Sequence, residues 1–326
     1  MRNDQTLFTR RPMLQASAAL SVGCFTSARG ETVHKAIAAK RLPPGKYIDA
    51  HVHIGTIPIK KNEPLTAEDL LRWLDTADIS QAWVLPLVSP EAYPNPVSTE
   101  YVLEATKPYR DRLIPFCVID PRNSWYGKGK GKGLRTQLQK YVDAGAKGFG
   151  EHKPGIAIDD PRNMELYAAC VEMNLSVVFH LDANRNTDLP GLPGLEKVLK
   201  AFPKLPLIGH APGFWASISG DVKTVDQLGR YPKTKIVPGG ALDRLFDKYP
   251  NLHGDVSSGS GNNALTRDPK FTIEFLKRRA DQLLFGTDYL EKGWDTGQHD
   301  LFRRVDLPAD VQQKIFRGNA QRLVRS

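Results

Sequence analysis

The stretch YIDAHVHIG, residues 47–55, sets two histidines one residue apart at the end of an apolar run. Alternate side chains of an extended strand share a face, so His51 and His53 point together while Val52 points away. Paired imidazoles can ligate a metal or move a proton, and both uses need further polar groups from elsewhere in the chain. Four more such groups end apolar runs: Glu151 in KGFGEH, His180 in LSVVFHLD, His210 in LPLIGHAP and Asp288 in QLLFGTD. Only one of Glu151 and His152 can face inward. Glu151 is the expected one, because Phe149 would then fill the interior beside it, with Lys153 facing the same way. Taken alone, a strand-end histidine is more often a hydrogen-bonded structural residue. Together, four imidazoles and two carboxylates suit a divalent transition metal, zinc first, with manganese, iron or nickel as alternatives.

These groups share a site only if the elements carrying them converge. From residue 46 onward, strand-like runs at 46–54, 81–88, 112–120, 147–152, 175–182, 205–212, 251–258 and 282–288 alternate with amphipathic stretches. Stretches 66–78, 134–145, 163–174 and 194–202 carry apolar residues at helical spacing. Eight strand–helix units predict an α/β fold, a (β/α)₈ TIM barrel over residues 46–326. In such a barrel the chemistry sits at the C-terminal ends of the strands, to which the first, fourth, fifth, sixth and eighth would contribute the polar groups.

The rest of the composition is that of an ordinary globular chain, 326 residues and 40% hydrophobic. Residues 1–28, with Arg10 and Arg11 ahead of a mild apolar stretch and small residues, read as a twin-arginine signal peptide, and 29–45 as a polar lead-in. Periplasmic or secreted location is therefore expected. Ser21 stands where a lipid-attachment motif at Cys24 wants leucine. Removing the signal, with its three arginines and one aspartate, lowers the net charge of +9 by two. The remaining cations are scattered, which argues against nucleic acid as a partner. Cys117 and Cys170 lie in apolar runs and read as buried thiols. The glycine–lysine run at 120–133 lacks the Gly-Lys-Ser/Thr step of a phosphate loop and reads as a solvated loop.

DAHVHIG, GAKGFGEH, VVFHLD, LIGHAPG, YPNLHGDVSSGSG, DQLLFGTDYL and KIFRGNAQRLV, spread from residue 46 to 325, resemble the amidohydrolase superfamily, in particular its amidohydrolase-related branch, family 2. The resemblance implies that His51, His53, His180 and Asp288 bind one metal. It further implies that Asp288 is the base toward metal-activated water, and that His210 binds a second metal or stabilises developing negative charge. Many relatives carry a carboxylated lysine on the fourth strand. Glu151 there resembles instead the TatD-like nuclease and phosphotriesterase-related arrangement, either bridging two metals or serving beside one.

The expected function is a metal-dependent hydrolase acting on a small amide, lactone or ester, with a non-oxidative decarboxylase of an aromatic or unsaturated acid as the alternative. A third reading is an exported binding protein without turnover. Arg185 and Trp215, with Phe214 and Trp294, are expected at the pocket mouth, where an arginine and aromatic walls suit an organic anion. Asp255 is expected to orient its neighbours rather than react. A small-molecule substrate is the implied partner, with no stable membrane insertion; oligomerisation is compatible with the sequence.

Overall fold

The computed structural model describes residues 45–57, 63–91, 96–123, 132–294 and 297–324. The stretch 1–28 expected to be a signal peptide and all of the expected lead-in but Gly45 lie outside the described residues, as does most of the glycine–lysine run.

Eight parallel strands form the inner layer: β1 (Tyr47–Val52), β2 (Ile79–Val84), β3 (Leu113–Pro115), β4 (Phe149–His152), β5 (Val177–His180), β6 (Leu207–His210), β7 (Leu252–Asp255) and β8 (Leu283–Leu284). They follow chain order in two ladders, β1-β2-β3 and β4-β5-β6-β7-β8. The backbone joins these ladders at both seams. Cys117 N donates to Gly148 O at 3.0 Å and Gly150 N to Cys117 O at 2.8 Å; Ala50 N donates to Phe285 O at 2.9 Å and His53 N to Tyr289 O at 3.0 Å. The result is a closed barrel with no free sheet edge, the fold class expected.

The helices lie between the strands: α1 (Ala67–Thr76), α2 (Thr99–Thr106), α3 (Lys132–Asp143), α4 (Pro161–Glu172), α5 (Pro193–Ala201), α6 (Pro212–Ala216), α7 (Ala241–Lys248), α8 (Ser258–Thr266), α9 (Pro269–Arg278), α10 (Gln298–Arg304), α11 (Ala309–Gln313) and α12 (Asn319–Leu323). Local chemistry fixes several starts. Thr66 and Asp69 make a reciprocal capping box on α1. Asp160 caps α4 just ahead of Pro161. Caps of this kind contribute about 1 kcal/mol each. Among the described residues, no helix is long and apolar enough to cross a membrane.

The core has two shells. Ile48, Ala50, Trp83, Leu85, Phe116, Val178, Ile208 and Leu284 fill the barrel, and Ala320 and Leu323 of α12 join them from the end opposite the site. Trp83 and Phe116 stack with centroids 4.9 Å apart. A larger shell, which includes Val52, Phe149, Phe179, Phe214 and Phe275, packs between strands and helices. Burying each such side chain contributes about 1.5–3 kcal/mol. Cys117 and Cys170 are free and buried, as expected.

One detail of β4 departs from simple alternation. Phe149 lies in the outer shell, 5.4 Å from the His152 ring, not inside the barrel beside Glu151. The β4–β5 register shifts between Phe149 and His152, and Gly150 takes φ +140 within that shift. The irregularity turns Glu151 inward although Phe149 points out.

Candidate metal centre

The C-terminal ends of β1, β4 and the segment after β8 bring four donor atoms together. His51 Nε2 and His53 Nε2 stand 3.2 Å apart. Glu151 Oε2 lies 3.6 Å from the first and 3.5 Å from the second, and Asp288 Oδ1 lies 3.7 and 3.4 Å from them. Four ligands held tetrahedrally about 2.1 Å from one ion would be about 3.4 Å apart. Five separations among the four donors thus fall near that spacing.

The surroundings commit these atoms to the centre. The His51 Nδ1–H donates to Asp255 Oδ2 at 2.6 Å, and the His53 Nδ1–H donates to the Leu85 carbonyl at 2.7 Å. Each ring therefore offers its Nε2 lone pair inward, and two lone pairs 3.2 Å apart repel unless a proton or a cation lies between them. Asp255 itself is fixed by the Ser257 amide at Oδ1 and the Ser257 hydroxyl at Oδ2, both at 2.9 Å. Its role is the orienting one expected from the sequence. Asp288 has φ 58, a left-handed conformation that aspartate tolerates, and its amide donates to the His51 carbonyl at 2.8 Å.

Electrostatics follow from burial and these contacts. Burial alone would lower the pKa of His51, but the Asp255 carboxylate and then Glu151 raise it well above the ordinary imidazole value. Burial would raise Glu151; the charge of Lys153, then the neighbouring His180 and His51, hold it well below the usual carboxylate range. Asp288 is likewise raised by burial and lowered on balance by His53, His51 and His210. Both carboxylates are ionised, the form that binds metal.

His180 and His210 face the other oxygen of Glu151. His180 Nδ1 is 2.7 Å from Glu151 Oε1, while its Nε2 is 2.9 Å from Asp182 Oδ2. His210 Nε2 is 3.9 Å from Glu151 Oε1 and 4.0 Å from Asp288 Oδ2. The Ser257 hydroxyl proton goes to Asp255, so the His210 Nδ1–H donates to Ser257 Oγ at 2.9 Å. That leaves a lone pair on His210 Nε2, and burial together with the charge of His51 keeps the ring neutral. Glu151, His180 and His210 form a second group whose ligand atoms lie within 4.8 Å of one another. Glu151 thus presents one oxygen to each group.

The mouth residues divide. Arg185, half-buried, donates Nη1 to Asp182 Oδ2 at 2.8 Å and Nε to the Glu91 carbonyl at 2.7 Å, at the edge of the His180 group. Trp215 is 1% exposed and its indole N–H donates to the Asp255 carbonyl at 2.8 Å. That corrects its expected place: the apolar ring seeks the core, and Trp215 supports β7 from behind, with Phe214 also buried. Trp294 is half-buried against the outer shell. Reading the sequence by residue type missed Asp182, Ser257 and Asp49. Asp182 could have been found, since it stands two residues after His180 as His53 does after His51. Asp49 accepts from the His51 amide at 3.0 Å and from the Thr287 hydroxyl at 2.6 Å, tying β1 to the segment that carries Asp288.

A closed parallel barrel with imidazoles and carboxylates gathered at its C-terminal end defines a class of enzyme scaffold that can hold a divalent metal. The family profile described as Amidohydrolase matches residues 48–326, and the chain belongs to that family. No curated protein sequence matches the chain. Among solved structures, an uncharacterised TIM-barrel protein from Bordetella bronchiseptica is 20% identical with a TM-score of 0.57, covering 79% of this chain and 82% of that one. A candidate 2-pyrone-4,6-dicarboxylic acid hydrolase from Pseudomonas putida is 14% identical with a TM-score of 0.56, covering 86% and 98%. The 5-carboxyvanillate decarboxylase from Sphingomonas paucimobilis is 12% identical with a TM-score of 0.53, covering 85% and 98%. At such identities the likeness concerns the fold.

Proposed function

We propose that the chain is a metal-dependent hydrolase acting on a small amide, lactone or ester. The observation that carries this reading is the five separations of 3.2–3.7 Å that link His51 Nε2 and His53 Nε2 to each other, to Glu151 Oε2 and to Asp288 Oδ1. These residues would hold a divalent ion, zinc first, which would supply Lewis acidity toward a carbonyl and a water acidic enough to ionise at about pH 7. Asp288 stays ionised and accepts a proton, which it returns to the leaving group. His210 Nε2, bare in the neutral ring, shares that proton or ligates a second ion. Glu151 joins the two groups through its two oxygens. Arg185, beside Asp182, is placed to meet an anionic group of the substrate at the mouth.

A second reading is a decarboxylase, favoured by the likeness to 5-carboxyvanillate decarboxylase and to the 2,6-dihydroxybenzoate decarboxylase from Rhizobium. One experiment addresses both. The zinc-loaded protein is assayed against a panel of lactones, esters and amides and, in parallel, for carbon dioxide release from aromatic acids. Hydrolysis that depends on metal supports the first reading, and carbon dioxide release without hydrolysis replaces it by the second. Absence of bound metal from the wild type, with activity indifferent to chelator, overturns both.

A further inference from the structure

Lys153 follows Glu151 by two residues and is 4% exposed. Its ammonium lies 2.7 Å from Glu151 Oε2, the oxygen that faces both His51 Nε2 and His53 Nε2. The pair is close but poorly aligned, for Oε2 is buried and accepts no hydrogen bond of regular geometry. What the ammonium gives this oxygen is therefore charge more than a directed bond.

We infer that Lys153 is a built-in counter-ion that competes with the metal for Glu151 Oε2 and so sets how tightly the centre holds its ion. The inference rests on the metal-centre reading above. Glu151, Asp288 and Asp255 bring three carboxylates around four imidazoles in a buried space, which needs positive charge to stay assembled. The Lys153 ammonium, 2.7 Å from Glu151 Oε2, supplies part of that charge. A divalent ion held by His51, His53 and Glu151 would share Oε2 with the ammonium, and two cations on one carboxylate oxygen oppose each other strongly in a medium of low dielectric constant. A lysine that merely aimed Glu151 would act in the opposite sense, since its loss would misplace a ligand and weaken binding.

The test uses the full chain and Zn²⁺ alone, competed against a chromogenic chelator at fixed pH. Lys153→Met and Lys153→Gln are expected to bind Zn²⁺ about ten-fold or more tightly than wild type, and Lys153→Arg, which keeps the charge, close to wild type. Equal or weaker binding in the folded Met and Gln variants overturns the inference. Should both fail to fold, the wild-type protein decides: Zn²⁺ must shift the NMR signal of the Lys153 ammonium, and an unmoved signal overturns the inference. Wild type that binds no Zn²⁺, with Glu151→Gln indistinguishable from it, removes the metal reading and the Lys153 role together. Binding that Glu151→Gln weakens but Lys153→Met leaves unchanged removes the Lys153 role alone.

Discussion

Asp255 Oδ2 takes the His51 ring proton at 2.6 Å and the Ser257 hydroxyl at 2.9 Å, and this decides which nitrogen of His51 faces the centre. Asp255→Asn replaces that acceptor with an amide that can present its N–H instead, so the ring loses its preferred tautomer. Metal affinity is expected to fall about 10- to 100-fold, read by chelator competition. Asp288→Asn removes the proton acceptor while keeping its shape. Turnover should drop by about 10²- to 10⁴-fold while the thermal melt stays near that of wild type, and unchanged turnover would exclude Asp288 as proton carrier. His51, His53, Glu151, His180, His210 and Asp288 were all legible in sequence, because a strand-end histidine that means little alone gains meaning when six such groups end strands of one barrel. Trp215 was misplaced because an indole suits a pocket wall and a core equally, and only the Asp255 carbonyl waiting for its N–H separates the two.

At the level of elements, the eight strands follow from their apolar runs, since each parallel strand is buried on both faces, and α1, α3, α4 and α5 from helical periodicity, whereas short helices such as α6 carry too few residues to show one. What periodicity hides is a break in it. The expected alternation along β4 placed Phe149 inside with Glu151, yet the register shift at Gly150 sends them to opposite sides. A methyl group at Gly150 would come within 2.5 Å of the Val178 carbonyl, at a φ of +140 that side chains rarely adopt. Gly150→Ala should cost about 2 kcal/mol or more in urea unfolding and weaken Zn²⁺ binding alongside, because the same bend aims Glu151. A variant that is as stable as wild type would show the bend to be optional.

On the scale of the molecule, two buried histidines away from the donor tetrahedron make the fold sensitive to acid. Burial pushes the pKa of His152 down to about 4 and that of His253 to about 3, against an ordinary 6.5. Below pH about 6.5 the unfolded chain takes up protons that the folded chain refuses, so stability is full above that pH and falls as pH drops toward 4. His152 alone would account for about 3 kcal/mol over that window. Urea unfolding of wild type and His152→Gln at pH 7.5, 5.5 and 4.5 tests this: the variant should show the shallower loss, and parallel curves would exclude the effect. We further propose that Arg10 and Arg11 begin an export signal, as their sequence context suggests. Replacing Arg10 and Arg11 with lysine is expected to retain the protein in the cytoplasm, as judged by cell fractionation.

The seam where Tyr289 meets His53 joins the first staves of the cylinder to its last. His51 and Asp288 are strangers in the chain and become neighbours only when that seam shuts. A growing chain therefore makes His51, His53 and Glu151 long before Asp288, and the last donor meets the others only in the closed ring. An ion gripped by all of them would pin the first stave to the last and so resist the barrel's opening.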